Sequence, residues 1–247
     1  MSNVLIVTGA SRGIGAAIAR MAGARSYDVC VNYRSNADKA AAVVAAIEAA
    51  GARAIAVQAD TAQEDDVVRL FQTTADQLGP ITGLVNNAGT TGKNCLVEDI
   101  DQASLEHIFG VNVIGYFLCA REAIRHMSTR KGGGGGHIVN ISSVAAKITN
   151  AFEWLHYGAS KAAVDCFTRG LALEAIEDGI NVNAIRPGPV ATDIMTTERI
   201  ARIEKVMPIG RVGEADEIAE AVLWLMSDQA GFCVGSILDV AGGRGVA

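Results

Sequence analysis

The chain has 247 residues, 50% of them hydrophobic and 19% charged, with a formal net charge of −6. That length holds one large α/β core or at most two small ones, and the composition suits a well-packed soluble globule. The acidic balance argues against nucleic acid as a partner, and an aromatic content of 5% leaves no base-stacking platform. The five cysteines (Cys30, Cys95, Cys119, Cys166 and Cys233) are scattered, odd in number and form no C-x-x-C pair. They read as small buried hydrophobes in a reducing cytoplasm, and with the four histidines they offer no metal-ligand spacing. The first residues run straight into an apolar segment with no basic stretch or cleavage site, and no apolar run reaches about 18 residues, so neither a secretory leader nor a membrane span is expected.

Residues 4–7, Val-Leu-Ile-Val, form a continuous apolar run ended by Gly9, as in a strand buried on both faces. Thr8-Gly9-Ala10-Ser11-Arg12-Gly13-Ile14-Gly15 follows and leads into a helical pattern over 16–24. Strand, glycine turn and helix start make a pyrophosphate cradle from backbone N–H groups and the helix dipole. Gly9 permits the turn, Gly13 the approach of phosphate and Gly15 close helix packing. The spacing is G-x-x-x-G-x-G, not the commoner G-x-G-x-x-G.

The second strand spans 28–33. An acidic residue just past it would bind the ribose 2′-hydroxyl of NAD. Here the chain reads Asn32-Tyr33-Arg34-Ser35, with no carboxylate. Arg34 and Arg12 can clamp a 2′-phosphate, so NADP is expected over NAD. An alanine-rich helix over 37–50, a strand over 54–58 ending at Asp60-Thr61, a helix over 63–78 and a strand over 82–86 come next. The alternation predicts a single doubly wound domain with a parallel sheet and helices on both faces. Ligands bind beyond the carboxyl ends of such strands, where the glycine loop, Arg34, Asp60 and Asn87 lie.

Residues 101–127 read as one long helix with a polar Asn112 among apolar neighbours. Five glycines at 132–136 read as a flexible surface loop. The fifth strand covers 137–142, with Ser142 and Ser143 at its end, and a loop over 144–156 delivers a helix from Tyr157 to about 178. A sixth strand spans 180–185, then Pro187-Gly188. Residues 190–210 have helical stretches with little apolar order and are expected to form a lid. A helix over 214–226 and a seventh strand over 236–240 close the chain. Tyr157 and Lys161 are four apart, so a helix puts both on one face. An ammonium beside the phenol should lower the Tyr157 pKa, preparing it to move the proton that accompanies hydride chemistry at a carbonyl.

Together, Thr8-Gly9-(x)3-Gly13-x-Gly15, Asn86-Asn87-Ala88-Gly89, Asn112, Ser143, Tyr157-(x)3-Lys161 and Pro187-Gly188 resemble the short-chain dehydrogenase/reductase family over almost the whole chain. Its bacterial glucose 1-dehydrogenase-like and 3-oxoacyl-acyl-carrier-protein-reductase-like members are the most similar in motif. The resemblance implies a Rossmann fold with a seven-stranded parallel sheet and an oxidoreductase acting between an alcohol and a ketone or aldehyde. Tyr157 would be general acid and base, and Lys161 would lower its pKa. Ser143, favoured over Ser142, would bind the substrate oxygen, and Asn112 would hold a relay water. The cofactor would be held by Gly9, Ser11, Arg12, Gly13, Ile14, Gly15, Asn32, Tyr33, Arg34, Asp60, Thr61, Asn87, Ala88, Gly89, Tyr157, Lys161, Pro187, Gly188, Val190 and Thr192. Family members are usually tetramers or dimers. The separation of Ser143 from Tyr157, 14 positions, is a residue or so longer than the family pattern.

The substrate pocket is expected from residues 90–95, 144–156 and 189–197, mostly apolar, with Lys93 and His156 as polar contacts. An acidic carrier protein would be repelled by Glu174, Glu177 and Asp178. A free small carbonyl compound or alcohol is therefore the expected partner, with no nucleic acid and no membrane. A dinucleotide-binding sensor that has lost its chemistry is the reading from another functional class.

Overall fold

The computed structural model describes residues 3–148, 152, 154–191 and 197–245. Seven strands, β1 (Asn3–Val7), β2 (Tyr27–Tyr33), β3 (Ala54–Gln58), β4 (Ile81–Asn86), β5 (Gly136–Ile141), β6 (Ile180–Pro187) and β7 (Ile237–Val240), form one sheet in the order β3-β2-β1-β4-β5-β6-β7. Every neighbouring pair is parallel, as βαβ crossovers require. The expected doubly wound Rossmann architecture is present.

The helices are α1 (Gly13–Ala24), α2 (Ala37–Ala49), α3 (Glu64–Leu78), α4 (Gln102–Phe109), α5 (Gly115–Met127), α6 (Ala145–Ile148), α7 (Leu155–Ala175), α8 (Thr197–Glu204) and α9 (Ala215–Leu225). Their starts follow local chemistry. Asn36 accepts from the Lys39 amide at 3.0 Å to cap α2, and Asp101 accepts from Ser104 at 2.7 Å to cap α4. Glu214 and Glu217 form a capping box on α9.

The apolar runs of the strands divide between two cores because successive side chains point to opposite faces. Leu5 and Val7 join Val29 and Val31 under α1, α2 and α9, while Val4 and Ile6 join Cys30 under α3, α5 and α7. The order reverses between β1 and β4, which opens the crevice where a doubly wound sheet binds ligand.

The structure departs from the sequence-based expectations in four places. The segment expected as one helix over 101–127 carries a π-turn at Gly110–Ile114, which holds Asn112. By length and composition that combined segment could cross a bilayer, yet its α5 part packs on β4 and α3. The expected open loop before Tyr157 contains α6. β6 runs on to Pro187. The five-glycine run is loop over 132–135, but its last residues are packed and its end enters a strand. Gly135 donates to Met127 O at 2.7 Å and Gly136 already belongs to β5 at φ 146°. A Cβ on Gly136 would overlap the Thr82 carbonyl oxygen, so glycine is needed for close packing there.

Candidate active site

The site is built where β1, β4, β5 and β6 end. Thr8 sets the first junction. Its hydroxyl accepts from the Asn87 amide at 2.9 Å and the Ala88 amide at 3.0 Å, and donates to Val85 O at 3.3 Å. The Asn87 side chain donates back to Thr8 O at 2.8 Å and Gly9 O at 3.2 Å. Two neighbouring strand ends are thereby locked to each other. Gly9 and Gly13 take φ of 62° and 57°, and a Cβ on Gly9 would lie 2.9 Å from Ala88 Cα. Gly9 is thus required both by turn conformation and by contact with the Asn87-Ala88-Gly89 segment, and Gly13 by turn conformation.

A cleft of about 610 Å³ runs from this loop to Tyr157. Its lining includes Gly9, Ser11, Arg12, Gly13, Ile14, Gly15, Asn32, Arg34, Asp60, Thr61, Asn87, Ala88, Gly89, Ser143, Tyr157, Lys161, Pro187, Gly188 and Val190. Nearly all the sequence-derived cofactor positions therefore share one cavity. Tyr33 is not on that lining and packs against the core instead. Asn32 reaches the cleft, but its amide is committed elsewhere. The oxygen accepts from Gly9 N at 3.1 Å, and the nitrogen donates to Val57 O at 3.3 Å and Ala59 O at 3.1 Å. It braces the glycine loop and has little left for a ligand. Thr192, with Ile194 and Met195 of the expected substrate pocket, lies outside the described residues.

Arg12 and Arg34 are exposed, and among the described residues neither guanidinium has an ion-pair or hydrogen-bond partner. Two unspent cations thus flank the cleft beside the end of β2, where no carboxylate stands. Asp60 lines the cleft with one oxygen already accepting from Ala62 N at 3.0 Å.

At the far end, Ser143 and Tyr157 come together, whereas Ser142 is buried and donates to Lys161 O at 3.2 Å. This assigns different positions to the two adjacent serines, with Ser143 beside the phenol. Lys161 follows Tyr157 by one helical turn, and its Nζ lies 6.0 Å from the Tyr157 ring centroid. The lysine is buried, and Nζ donates to Ile141 O at 2.7 Å and Tyr116 Oη at 3.1 Å. Asn112 is also buried. Its side chain accepts from Thr90 N and donates to Thr90 O and Ser160 Oγ, each at 2.9 Å.

Burial governs the electrostatics. It pushes the Lys161 pKa down to about 7, with Asp165 pulling the other way. It also raises the Tyr157 pKa above its ordinary value, opposed by the Ser143 hydroxyl. The expected fall in the Tyr157 pKa is therefore reversed in the folded chain. Withdrawal of the phenol from water outweighs its neighbours, and Lys161 spends two of its protons on other acceptors.

Sequence reasoning missed Tyr116 and Asn140, and gave Thr8 and Asn86 no role beyond their motifs. Tyr116 and Thr8 make direct contacts in the site. Asn86 and Asn140 join at 3.0 Å behind it, with Asn140 donating to Thr168 at 3.0 Å. Tyr116 was within reach of inspection, since it follows Asn112 by one helical turn. Lys93 and His156, expected as polar substrate contacts, are not on the cleft lining, and His156 is buried against Gly92. Among the described residues no cluster of His, Cys, Asp or Glu could hold a metal.

Residues 9–244 match the model of the enoyl-(acyl carrier protein) reductase family. An uncharacterized oxidoreductase of Escherichia coli is 41% identical, with 98% of this chain and 99% of that protein aligned. A 3beta-hydroxysteroid dehydrogenase of Eggerthella lenta is also 41% identical, over 97% of this chain and 92% of its own. The structure of a Serratia marcescens short-chain dehydrogenase/reductase double mutant superposes with a TM-score of 0.91 at 33% identity, covering 98% of both chains. On this full-length match of sequence and fold, the chain belongs to the short-chain dehydrogenase/reductase family, oxidoreductases that use a nicotinamide dinucleotide on alcohol or carbonyl groups.

Proposed function

We propose that this chain is an NADP(H)-dependent oxidoreductase interconverting a secondary alcohol and a ketone or aldehyde, with Tyr157 as the general acid and base. The observation that carries the reading is the convergence of Ser143 and Tyr157 at one end of a cleft whose other end holds the glycine loop, Arg12 and Arg34. The cleft fits a dinucleotide. Gly15 has no room for a Cβ, which would stand 2.7 Å from Gly9 O, so the start of α1 packs closely on the glycine turn that lines the cleft. Gly9, Ser11, Gly13, Ile14 and Gly15 would hold the pyrophosphate side, Asp60 and Thr61 the adenine side, and Asn87, Ala88, Gly89, Pro187, Gly188 and Val190 the path to Tyr157. When bound, the nicotinamide supplies or accepts the hydride.

The protein's own residues handle the proton. In reduction, Tyr157 donates its phenolic proton to the carbonyl oxygen that Ser143 orients; in oxidation it removes the alcohol proton. Lys161 supplies positive charge behind the phenolate, and buried Asn112 holds Ser160 and Thr90 in register with it.

A small free substrate is favoured over an acyl carrier protein. Arg125 is paired with Glu122 at 2.8 Å, and Arg130 with Asp178 at 2.7 Å, which offsets part of the positive charge they would offer an acidic partner. The Eggerthella lenta relative, named for a hydroxysteroid, supports an apolar secondary alcohol or ketone. We place the enzyme in the cytoplasm, consistent with its unpaired cysteines. It is proposed to be a homotetramer or dimer with no nucleic acid or membrane partner. Phe117 is 52% exposed and packs on Phe167 at 4.0 Å, an apolar surface suited to a second copy.

The test is a panel of ketones, aldehydes, sugars and steroids scored by nicotinamide turnover in wild type and Tyr157→Phe. Loss of about 10²–10⁴-fold in turnover with cofactor affinity kept is expected. Full turnover in the variant would sink the mechanism. Cofactor binding with no turnover of any panel member would favour the sensor.

A further inference from the structure

We infer that Tyr116, on α5, is a positioning residue for Lys161: its hydroxyl oxygen fixes the ammonium at the back of the site and keeps it charged. The inference rests on the oxidoreductase reading, in which that charge supports Tyr157.

Tyr116 is 2% exposed, so its hydroxyl can satisfy itself only inside the protein. It donates its one proton to Ile141 O at 2.9 Å. That leaves the oxygen as an acceptor toward Lys161 Nζ, 3.1 Å away. Lys161 donates a second proton to the same Ile141 carbonyl at 2.7 Å. Hydroxyl, ammonium and carbonyl form a closed triangle. Both positions facing Nζ are acceptors, an arrangement that favours the charged amine over the neutral one. The ring adds to this, since Nζ lies 4.9 Å from its centroid, closer than the 6.0 Å to Tyr157.

The opposing influence is burial, which drives Lys161 toward neutrality. Among the described residues, Asp165 on α7, paired with Arg186 of β6 at 2.8 Å, acts on Lys161, while Tyr157 on α7 and Cys119 on α5 act on Tyr116. β5 contributes the Ile141 carbonyl and Ser142, and the β4 loop contributes Gly89, whose Cβ position lies 3.6 Å from Nζ. Tyr116 also fits a mechanical role. Four residues before it, Asn112 grips Ser160 at 2.9 Å, so the π-turn and the first turn of α5 hold two consecutive residues of α7. A simple core filler would need only the Ile141 contact.

The experiment is Tyr116→Phe in the full chain, which keeps the ring and deletes the oxygen. The Lys161 side chain is titrated by NMR in isotope-labelled, cofactor-free protein, with its signal assigned by Lys161→Met. Removing one acceptor from a charged group should lower the Lys161 midpoint by about one pH unit, a tenfold loss of proton affinity. In oxidation, the limb of kcat/KM that reports Tyr157 should move to higher pH, because less ammonium faces the phenolate. An unmoved lysine midpoint in folded Tyr116→Phe overturns the inference. If that variant does not fold, Tyr116→Met, which fills similar volume without a hydroxyl, carries the same measurement. The titration needs no turnover, so an inactive enzyme would refute the oxidoreductase reading and leave the role of Tyr116 to be judged on the lysine alone.

Discussion

Cofactor choice can be tested at Arg34. Its guanidinium is exposed and lines the cleft beyond β2 without an internal partner, so Arg34→Ala breaks no described contact of its side chain. Any loss of affinity then reports the cofactor phosphate. A hydrogen bond to a charged group is worth about 1.5–3 kcal/mol, and exposure to solvent brings this toward 1–1.4 kcal/mol. The NADPH Kd should therefore rise about five- to tenfold, since 1.4 kcal/mol is tenfold. Arg12→Ala should behave alike, and the double variant should lose roughly 30- to 100-fold if the two contributions add. NADH, which lacks the 2′-phosphate, should bind all four proteins equally. Fluorescence titration of both cofactors at two salt concentrations is the assay, and the NADPH preference should shrink as salt rises. Unchanged NADPH affinity in Arg34→Ala, or an equal loss for NADH, would refute the clamp.

Three further outcomes follow from the geometry. Gly15→Ala would drive a Cβ into the Asn87 amide nitrogen and release the glycine loop from Asn87, so cofactor affinity should fall about tenfold or more; the same titration checks it. Gly136→Ala combines a φ of 146° with overlap on Thr82 O and should destabilise by about 3 kcal/mol or more in urea unfolding, while Gly132→Ala, with open space around it but a φ of 88°, should cost clearly less. Asp178 is held down to about 2 by Arg130 and Ser128. Its folded pKa lies below its unfolded one, so its contribution is complete above pH 4 and is lost as pH falls toward 2. Asp178→Asn should lose stability at neutral pH and show a flatter acid dependence in that window, read by thermal melts across pH.

The lid expected over 190–210 resolves in part to α8 and to a bridge between Val190 and Gly213. Val190 thereby ties the outlet of β6 to the entry of α9, beside the cleft it lines.

Local patterns alone settled the β-α alternation, the glycine turn and the pairing of Tyr157 with Lys161 on one helical face. These depend on periodicity, on φ preferences and on spacing along a helix, all of which act between residues close in sequence. Tertiary structure decided what depends on burial and on distant partners. Asn32 looks like a ligand residue in sequence, but its amide is consumed by Gly9, Val57 and Ala59. The glycine run at 132–136 looks like open loop throughout, but Gly133 and Gly135 sit against Met127 and Gly136 against Thr82 within β5. Tyr157 looks like a phenol acidified by its lysine, yet desolvation raises its pKa while Lys161 turns to Tyr116 and Ile141. Charge and hydrogen-bond supply at this site are set by the packing of α5 and α7 over β5, and no spacing within either helix encodes that packing.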